Sequence, residues 1–219
     1  MMKVILNNST AEIVEKKSKF IANISYADDE NSALDILNAT KKKYYDAKHN
    51  CFAYILGKNG DLLKSSDDGE PQGTAGHPMI DILRGNELTN CIAIVTRYFG
   101  GILLGTGGLV RAYSDSLKQA ISNAKISELK NAYKVSFDIN YDDYGKIENL
   151  VQNINLYSNQ IITLDKTFED VVKLKYLVNE NSFDKFKSDI SNITKGKIIL
   201  ENNDIKVYYI DDKEVRYLR

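Results

Sequence analysis

Glycine sets the terms for what this chain can fold into. Eleven of its thirteen glycines fall between His49 and Gly108, together with both prolines, both histidines and both cysteines. Three dense blocks occupy that window. The first is His49-Asn50-Cys51-Phe52-Ala53-Tyr54, and the second is Asp67-Asp68-Gly69-Glu70-Pro71-Gln72-Gly73-Thr74-Ala75-Gly76. The third runs from Thr96-Arg97-Tyr98-Phe99-Gly100-Gly101 to Gly105-Thr106-Gly107-Gly108-Leu109-Val110-Arg111-Ala112-Tyr113. Glycine is required where a backbone takes positive φ or must approach another surface closely. Gathered with Asp, Arg and Tyr on an otherwise ordinary background, it marks the region where function resides.

Around the blocks the pattern alternates between strand and helix. Residues 12–15 and 20–26 read as strands joined by a polar turn at 16–19. A helix is expected from the acids at 28–30 to the lysines at 41–43, with charges that suit its macrodipole. Residues 50–56 and 91–95 are short strands apolar on both faces, hence buried between layers. The second leads through the glycine block into a helix over 109–124. His77, between Gly76 and Pro78, reads as a surface turn residue.

Beyond residue 133 the texture changes. Strand 135–139, helix 142–154, strands 160–168 and 171–178, helix 182–193 and an extended stretch 197–210 give the order β-α-β-β-α-β of a ferredoxin-like sandwich. Two domains are therefore expected in an α+β chain, 1–130 and 133–219, separated by the polar stretch 125–131.

Several classes of function are disfavoured. No run approaches the roughly 20 apolar residues of a membrane helix, and no secretory signal stands at the start, so a cytoplasmic protein without a membrane partner is expected. The two cysteines form no disulfide framework. A net charge of −1 removes the usual sign of a strongly basic nucleic-acid binder. Residues 1–132 carry 16 Lys and Arg against 15 Asp and Glu, and residues 133–219 carry 13 against 15. Any polyanion site must be a local patch.

A strand, a glycine loop and a helix in succession form the geometry that cradles phosphate. Thr106 stands where a P-loop has lysine, and Gly105-Thr106-Gly107-Gly108 does not extend to a dinucleotide fingerprint. The loop is either a tight structural turn or a non-nucleotide phosphate contact. Arg97 and Arg111 favour the second, with Tyr98 and Tyr113 placed to stack on bases. The carboxylates Asp67, Asp68 and Glu70 read as an Asx-rich turn that orients the arginines, not as a metal site. His49 and Cys51 share one strand face, but a Cys–His nucleophile needs an orienting acid that the sequence does not identify. Their roles, and that of His77, stay open.

Taken together and spaced as they are, the three blocks resemble the YigZ/IMPACT family. The resemblance rests on Lys48-His49-Asn50-Cys51-Phe52-Ala53-Tyr54, on Ser65-Ser66-Asp67-Asp68-Gly69-Glu70-Pro71-Gln72-Gly73-Thr74-Ala75-Gly76, and on the stretch from Val95 to Tyr113. Ser18-Lys19-Phe20-Ile21 resembles the family's opening strand. The resemblance implies an N-terminal domain with the fold of ribosomal protein S5 domain two and ribonuclease PH. It further implies a C-terminal domain like the last domain of elongation factor G, and a link to translation.

The reading is a translation-associated regulator that binds RNA or the ribosome without catalysis, cofactor or metal. Lys48, Arg97 and Arg111 are the expected phosphate contacts, with Tyr98 and Tyr113 on bases. Asp67, Asp68, Gly69, Glu70, Gly73, Gly76, Gly100, Gly101, Gly105, Gly107 and Gly108 shape the loops and orient the arginines. The alternatives are an enzyme acting on a phosphate-bearing or peptide substrate in the glycine-rich cleft, and a module that binds a protein partner.

Overall fold

The structure, a computed structural model, describes residues 1–156, 159–200, 205–212 and 214–218. Its chain divides into two compact units, Met1–Leu129 with Tyr209–Arg219, and Lys130–Tyr208. In the first unit the elements run β1 (Lys3–Ile5), β2 (Ser9–Glu15), β3 (Ser18–Tyr26), α1 (Glu30–Lys43), β4 (His49–Leu56), β5 (Leu62–Ser66), α2 (Gly76–Gly85), β6 (Cys91–Tyr98), α3 (Thr106–Ser122) and β7 (Ile126–Glu128).

Five of these strands form an antiparallel sheet in the order β2-β3-β6-β4-β5. Helix α1 covers one face, burying Ala33 and Leu37 against Tyr54, Leu56, Ile92 and Ile94. Helices α2 and α3 cover the other, where Met79, Leu83, Leu109 and Leu117 meet Cys51, Ala53, Ala93 and Val95. Burial on both faces explains why β4 and β6 read as continuous apolar runs. Side chains alternate across a strand, so odd positions of β4 and β6 point to α2 and α3 and even positions to α1. That parity decides which motif residues can meet.

The hairpin between β2 and β3 closes on Lys16 and Lys17, both at positive φ (44° and 63°). Two such residues are the requirement of the tight turn that matches strand twist. The turn is thus two residues long, shorter than the polar run 16–19 that the sequence offered. Helix α1 begins as expected, at Asp29, whose carboxylate accepts from the Ser32 N–H in a capping box.

Helix α2 corrects the reading of His77 as a turn residue. Gly76, His77 and Pro78 form its first turn, where proline is tolerated because the N–H it lacks has no intrahelical acceptor. Strand β5, and the two-stranded sheet of β1 with β7, were also not visible in the residue pattern. β1 and β7 span only three residues each.

The second unit contains β8 (Lys130–Ile139), α4 (Tyr141–Asn155), β9 (Ile161–Phe168), β10 (Val172–Asn179), α5 (Glu180–Ile193) and most of β11 (Ile205–Asp211). Its strands pair antiparallel in the order β11-β8-β10-β9. Ile147 and Val151 of α4, with Phe183, Phe186 and Ile190 of α5, pack on the sheet residues Val135, Phe137, Leu174 and Tyr176. This is the β-α-β-β-α-β order read from the periodicity. Part of the expected extended stretch 197–210, residues 201–204, lies outside the described residues. Strand β12 (Glu214–Tyr217) follows.

The chain passes from β6 to α3 hard against the β2–β3 turn. A Cβ built on Gly100 would lie 2.0 Å from the Lys17 carbonyl carbon and 2.3 Å from the Ser18 nitrogen. Gly101, at φ 82°, meets nothing within 4 Å. Gly100→Ala is expected to cost about 3 kcal/mol through backbone displacement, whereas Gly101→Ala costs only the left-handed strain of about 1–2 kcal/mol. Urea denaturation of the two variants checks this order; equal losses would contradict the packing role of Gly100.

Candidate ligand-binding cleft

Strand register brings the motif blocks to one end of the N-terminal sheet. His49 pairs with Arg97, Asn50 with Thr96 and Cys51 with Val95 across β4 and β6, while Phe20 of β3 pairs with Arg97 on its other side. By parity His49, Cys51, Phe20 and Arg97 face α3. Tyr98 faces the opposite way, and its hydroxyl donates to Asp46 Oδ1 at 2.8 Å. Tyr98 is therefore separated from Arg97 by the thickness of the sheet, against the expectation that the two act together.

A buried ion pair lies at the centre. Arg97 Nη1 donates to both Glu70 carboxylate oxygens, at 2.7 and 3.0 Å, and the two side chains are only 7% and 4% exposed. Arg97 Nη2 donates to Ser18 Oγ at 3.4 Å, and Ser18 Oγ also accepts from the Gly100 N–H at 3.1 Å. The guanidinium lies between the rings of Phe20 and Phe99, 5.4 and 5.6 Å from their centroids, a placement its charge favours. The terminal nitrogens of Arg97 are thus engaged within the protein, although the side chain lines the cleft described below and its buried Nε has no hydrogen-bond partner among the described residues. The orienting acid is Glu70, not Asp67 or Asp68.

Tyr113 is likewise corrected. It is fully buried, packed edge-on against Phe20 at 5.2 Å, and donates its hydroxyl proton to Glu70 Oε1 at 2.8 Å. No base can reach it. Burial, with Cys51 and Glu70 beside it, pushes its ionisation well above the ordinary tyrosine range.

The two aspartates build the loop. Asp67 accepts three backbone N–H groups, from Gly73, Ala75 and Gly76, at 2.8 to 2.9 Å. In this way it caps α2, whose N-cap residue Ala75 has no side chain able to do so. Burial opposes its ionisation, but these N–H groups and the charge of His77 outweigh burial and hold its pKa below the ordinary value. Asp68 accepts from the Asn50 N–H at 2.7 Å and pairs with Lys41 Nζ at 3.3 Å. Of the loop glycines, Gly69, Gly73, Gly101 and Gly105 take positive φ, and Gly76, Gly100, Gly107 and Gly108 do not.

His49 is the residue whose role the sequence left open. Its Nδ1 lies 2.8 Å from the Asp68 carbonyl oxygen. A carbonyl only accepts, so Nδ1 carries a hydrogen, and in the neutral ring Nε2 keeps its lone pair. Nε2 has no hydrogen-bond partner among the described residues and stands 4.0 Å from Glu70 Oε1. Cys51 does not supply a nucleophile to this histidine. Its sulfur lies 3.0 Å from the Asp67 carbonyl and 3.3 Å from the Tyr113 hydroxyl, and burial raises its pKa to about 12.

Above these groups opens a cleft of about 420 Å³. Lys48 and His49 lie on one side, Phe99, Leu103 and Leu104 form an apolar wall, and Gly105 and Thr106 bring the N-terminus of α3 to its edge. That helix has no side-chain cap, so its first N–H groups are available to an anion. Lys48 forms no ion pair among the described residues. Arg111 is exposed but lines a different cleft, of about 340 Å³, with Lys16, Glu15 and Asp115. The sequence missed Ser18, Phe99 and the free face of His49. A lone arginine ending the apolar run Cys91-Ile92-Ala93-Ile94-Val95 was the available signal that a carboxylate must be buried beside it.

The fold and this cleft define a mixed α+β protein of two domains, with a ligand-sized recess at the end of the N-terminal sheet. The Impact N-terminal domain family matches residues 16–121, and a domain of unknown function, DUF1949, matches residues 137–197. The chain is 36% identical to IMPACT family member YvyE of Bacillus subtilis (strain 168), covering 89% of this chain and 87% of that protein. It is 32% identical to IMPACT family member YigZ of Escherichia coli (strain K12), over 84% and 89% of the two. A crystal structure of a hypothetical protein superposes on 96% of this chain and 98% of its own, with a TM-score of 0.57 and 27% identity. This chain belongs to the IMPACT family.

Two outcomes follow from the geometry. Glu70→Gln leaves the Arg97 charge buried without its counter-ion and is expected to cost about 3–5 kcal/mol. The double variant Glu70→Leu with Arg97→Met is expected to recover part of that loss in urea denaturation. Asp67 has its pKa depressed on folding, so it stabilises the protein above the ordinary aspartate pKa, and that stability is lost as pH falls through the lowered value. Asp67→Asn is therefore expected to lower the melting temperature at neutral pH and to flatten its decline below about pH 4.

Proposed function

We propose that this protein is a translation-associated RNA-binding protein that receives single-stranded RNA at the cleft beside α3. The observation that carries this reading is the meeting of three features in one recess. Lys48 and the uncapped N-terminus of α3 offer positive potential to a phosphate. Phe99, 49% exposed, offers a ring to a base, and Leu103, 83% exposed, extends the apolar wall. The family resemblance supplies the link to translation. The net charge of −1 is compatible with a site of local contacts, in which few phosphates are neutralised and the salt dependence is shallow.

Arg111, with Lys16 in the adjoining cleft, serves in this reading as a second phosphate contact. Glu15 and Asp115 share that cleft and temper its charge. Tyr113 supports the site from beneath, and Arg97 holds Glu70 in the cleft lining.

A salt titration of binding to a short single-stranded RNA tests the reading. Lys48→Ala is expected to weaken binding by about 1 kcal/mol and to reduce the salt slope by about 1, with the melting temperature unchanged. Arg111→Ala is expected to give a smaller effect of the same kind. Phe99→Ala is expected to lose about 1–3 kcal/mol of affinity with little change in slope. Wild-type protein with no RNA affinity at low salt would overturn the proposal.

A further inference from the structure

The cleft separates its donors from its acceptor. Positive potential comes from Lys48 and the first turn of α3. His49, with a side chain only 10% exposed, lines the recess, and because the Asp68 carbonyl holds Nδ1 as the donor its neutral imidazole offers Nε2 as an acceptor. That nitrogen has no hydrogen-bond partner among the described residues. The nearest polar group, the Glu70 carboxylate at 4.0 Å, is already engaged by Arg97 and Tyr113. A lone pair beside a carboxylate already paired with Arg97 calls at that point for a hydrogen-bond donor. A hydroxyl that donates a proton fits that acceptor.

We infer that His49 makes the cleft selective for ribose over deoxyribose, by accepting a hydrogen bond from the 2′-hydroxyl of the bound nucleotide. A ribonucleotide carries the three features that the recess sorts: a phosphate for Lys48 and α3, a flat base for Phe99, and a neighbouring hydroxyl donor for His49. A deoxyribonucleotide presents the first two and leaves Nε2 without a partner. The 2′-hydroxyl is the group by which proteins distinguish the two polymers at a given site. This inference rests on the RNA-binding reading above and assigns His49 as its specificity-determining residue.

Fluorescence anisotropy on the full chain tests it, using uridine strands about ten nucleotides long in ribose, deoxyribose and 2′-O-methyl forms. Wild type is expected to bind the ribose strand about tenfold more tightly than the deoxyribose strand, the scale of one hydrogen bond. The 2′-O-methyl strand, which keeps the oxygen and loses the proton, is expected to bind as weakly as the deoxyribose strand. His49→Leu is expected to bring the ratio close to one. His49→Gln, which retains an acceptor, is expected to preserve most of it.

Equal binding of ribose and deoxyribose strands by wild type overturns the inference and leaves the RNA-binding reading in place. So does tight binding of the 2′-O-methyl strand, a comparison that needs no variant to fold, and so does an undiminished ratio in folded His49→Leu. Failure of wild type to bind any of the three strands overturns both.

Discussion

The carboxylate of Glu70 against the guanidinium of Arg97 is the contact on which the N-terminal unit turns. Removing two charges from water is costly, and a pair this deep persists only with close geometry and further hydrogen bonds. Those bonds tie the pair to separate parts of the chain. Tyr113 reaches it from α3, Ser18 from the start of β3, and Ser18 in turn holds the Gly100 N–H. The loop carrying Glu70 and the loop following Arg97 are the two walls of the cleft, so the ion pair sets the distance between them. Phe20 and Phe99 complete it by closing over the guanidinium.

Much of this architecture was legible in the sequence, and the exceptions have physical causes. Periodicity gave α1, α3 and the β-α-β-β-α-β order, because these elements bury one definite face, and continuous apolar runs gave β4 and β6, which are buried on both. Helix α2 was missed since Gly76 and Pro78 are turn formers by local chemistry. A carboxylate nine residues before Gly76 satisfies the N–H groups that would otherwise argue against a helix there. The location of the site was readable from glycine density alone. Its internal roles were not: Arg97, Tyr98 and Tyr113 look alike as polar candidates beside a glycine loop. Only strand parity and burial divide them into a buried cation, a residue of the opposite face and a core tyrosine. Alternation along β6 already implied that Arg97 and Tyr98 cannot share a face.

In the proposed site the side chains divide into groups engaged within the protein and groups left open to the cleft. Asp67, Asp68, Glu70 and Tyr113 spend their polar atoms within the protein, as do both terminal nitrogens of Arg97, whose buried Nε has no hydrogen-bond partner among the described residues. Lys48, His49, Phe99 and the uncapped first turn of α3 line the cleft. The division accounts for the density of chemistry-bearing residues in the glycine region: most of it is scaffolding for a small exposed set. Preorganisation of this kind lowers the ordering cost of binding in general.

The thiol of Cys51 lies directly beneath that scaffold, close to Tyr113 and the Asp67 carbonyl. With its pKa raised to about 12, the thiolate fraction at pH 7 is on the order of one in a hundred thousand. Peroxides and disulfides attack the thiolate, so oxidant in the surrounding solution finds almost nothing to react with. Cys91, fully buried and raised to the same value, is equally silent. The packing around Glu70 and Tyr113 therefore keeps its chemical identity under oxidative conditions that would modify an ordinary surface cysteine.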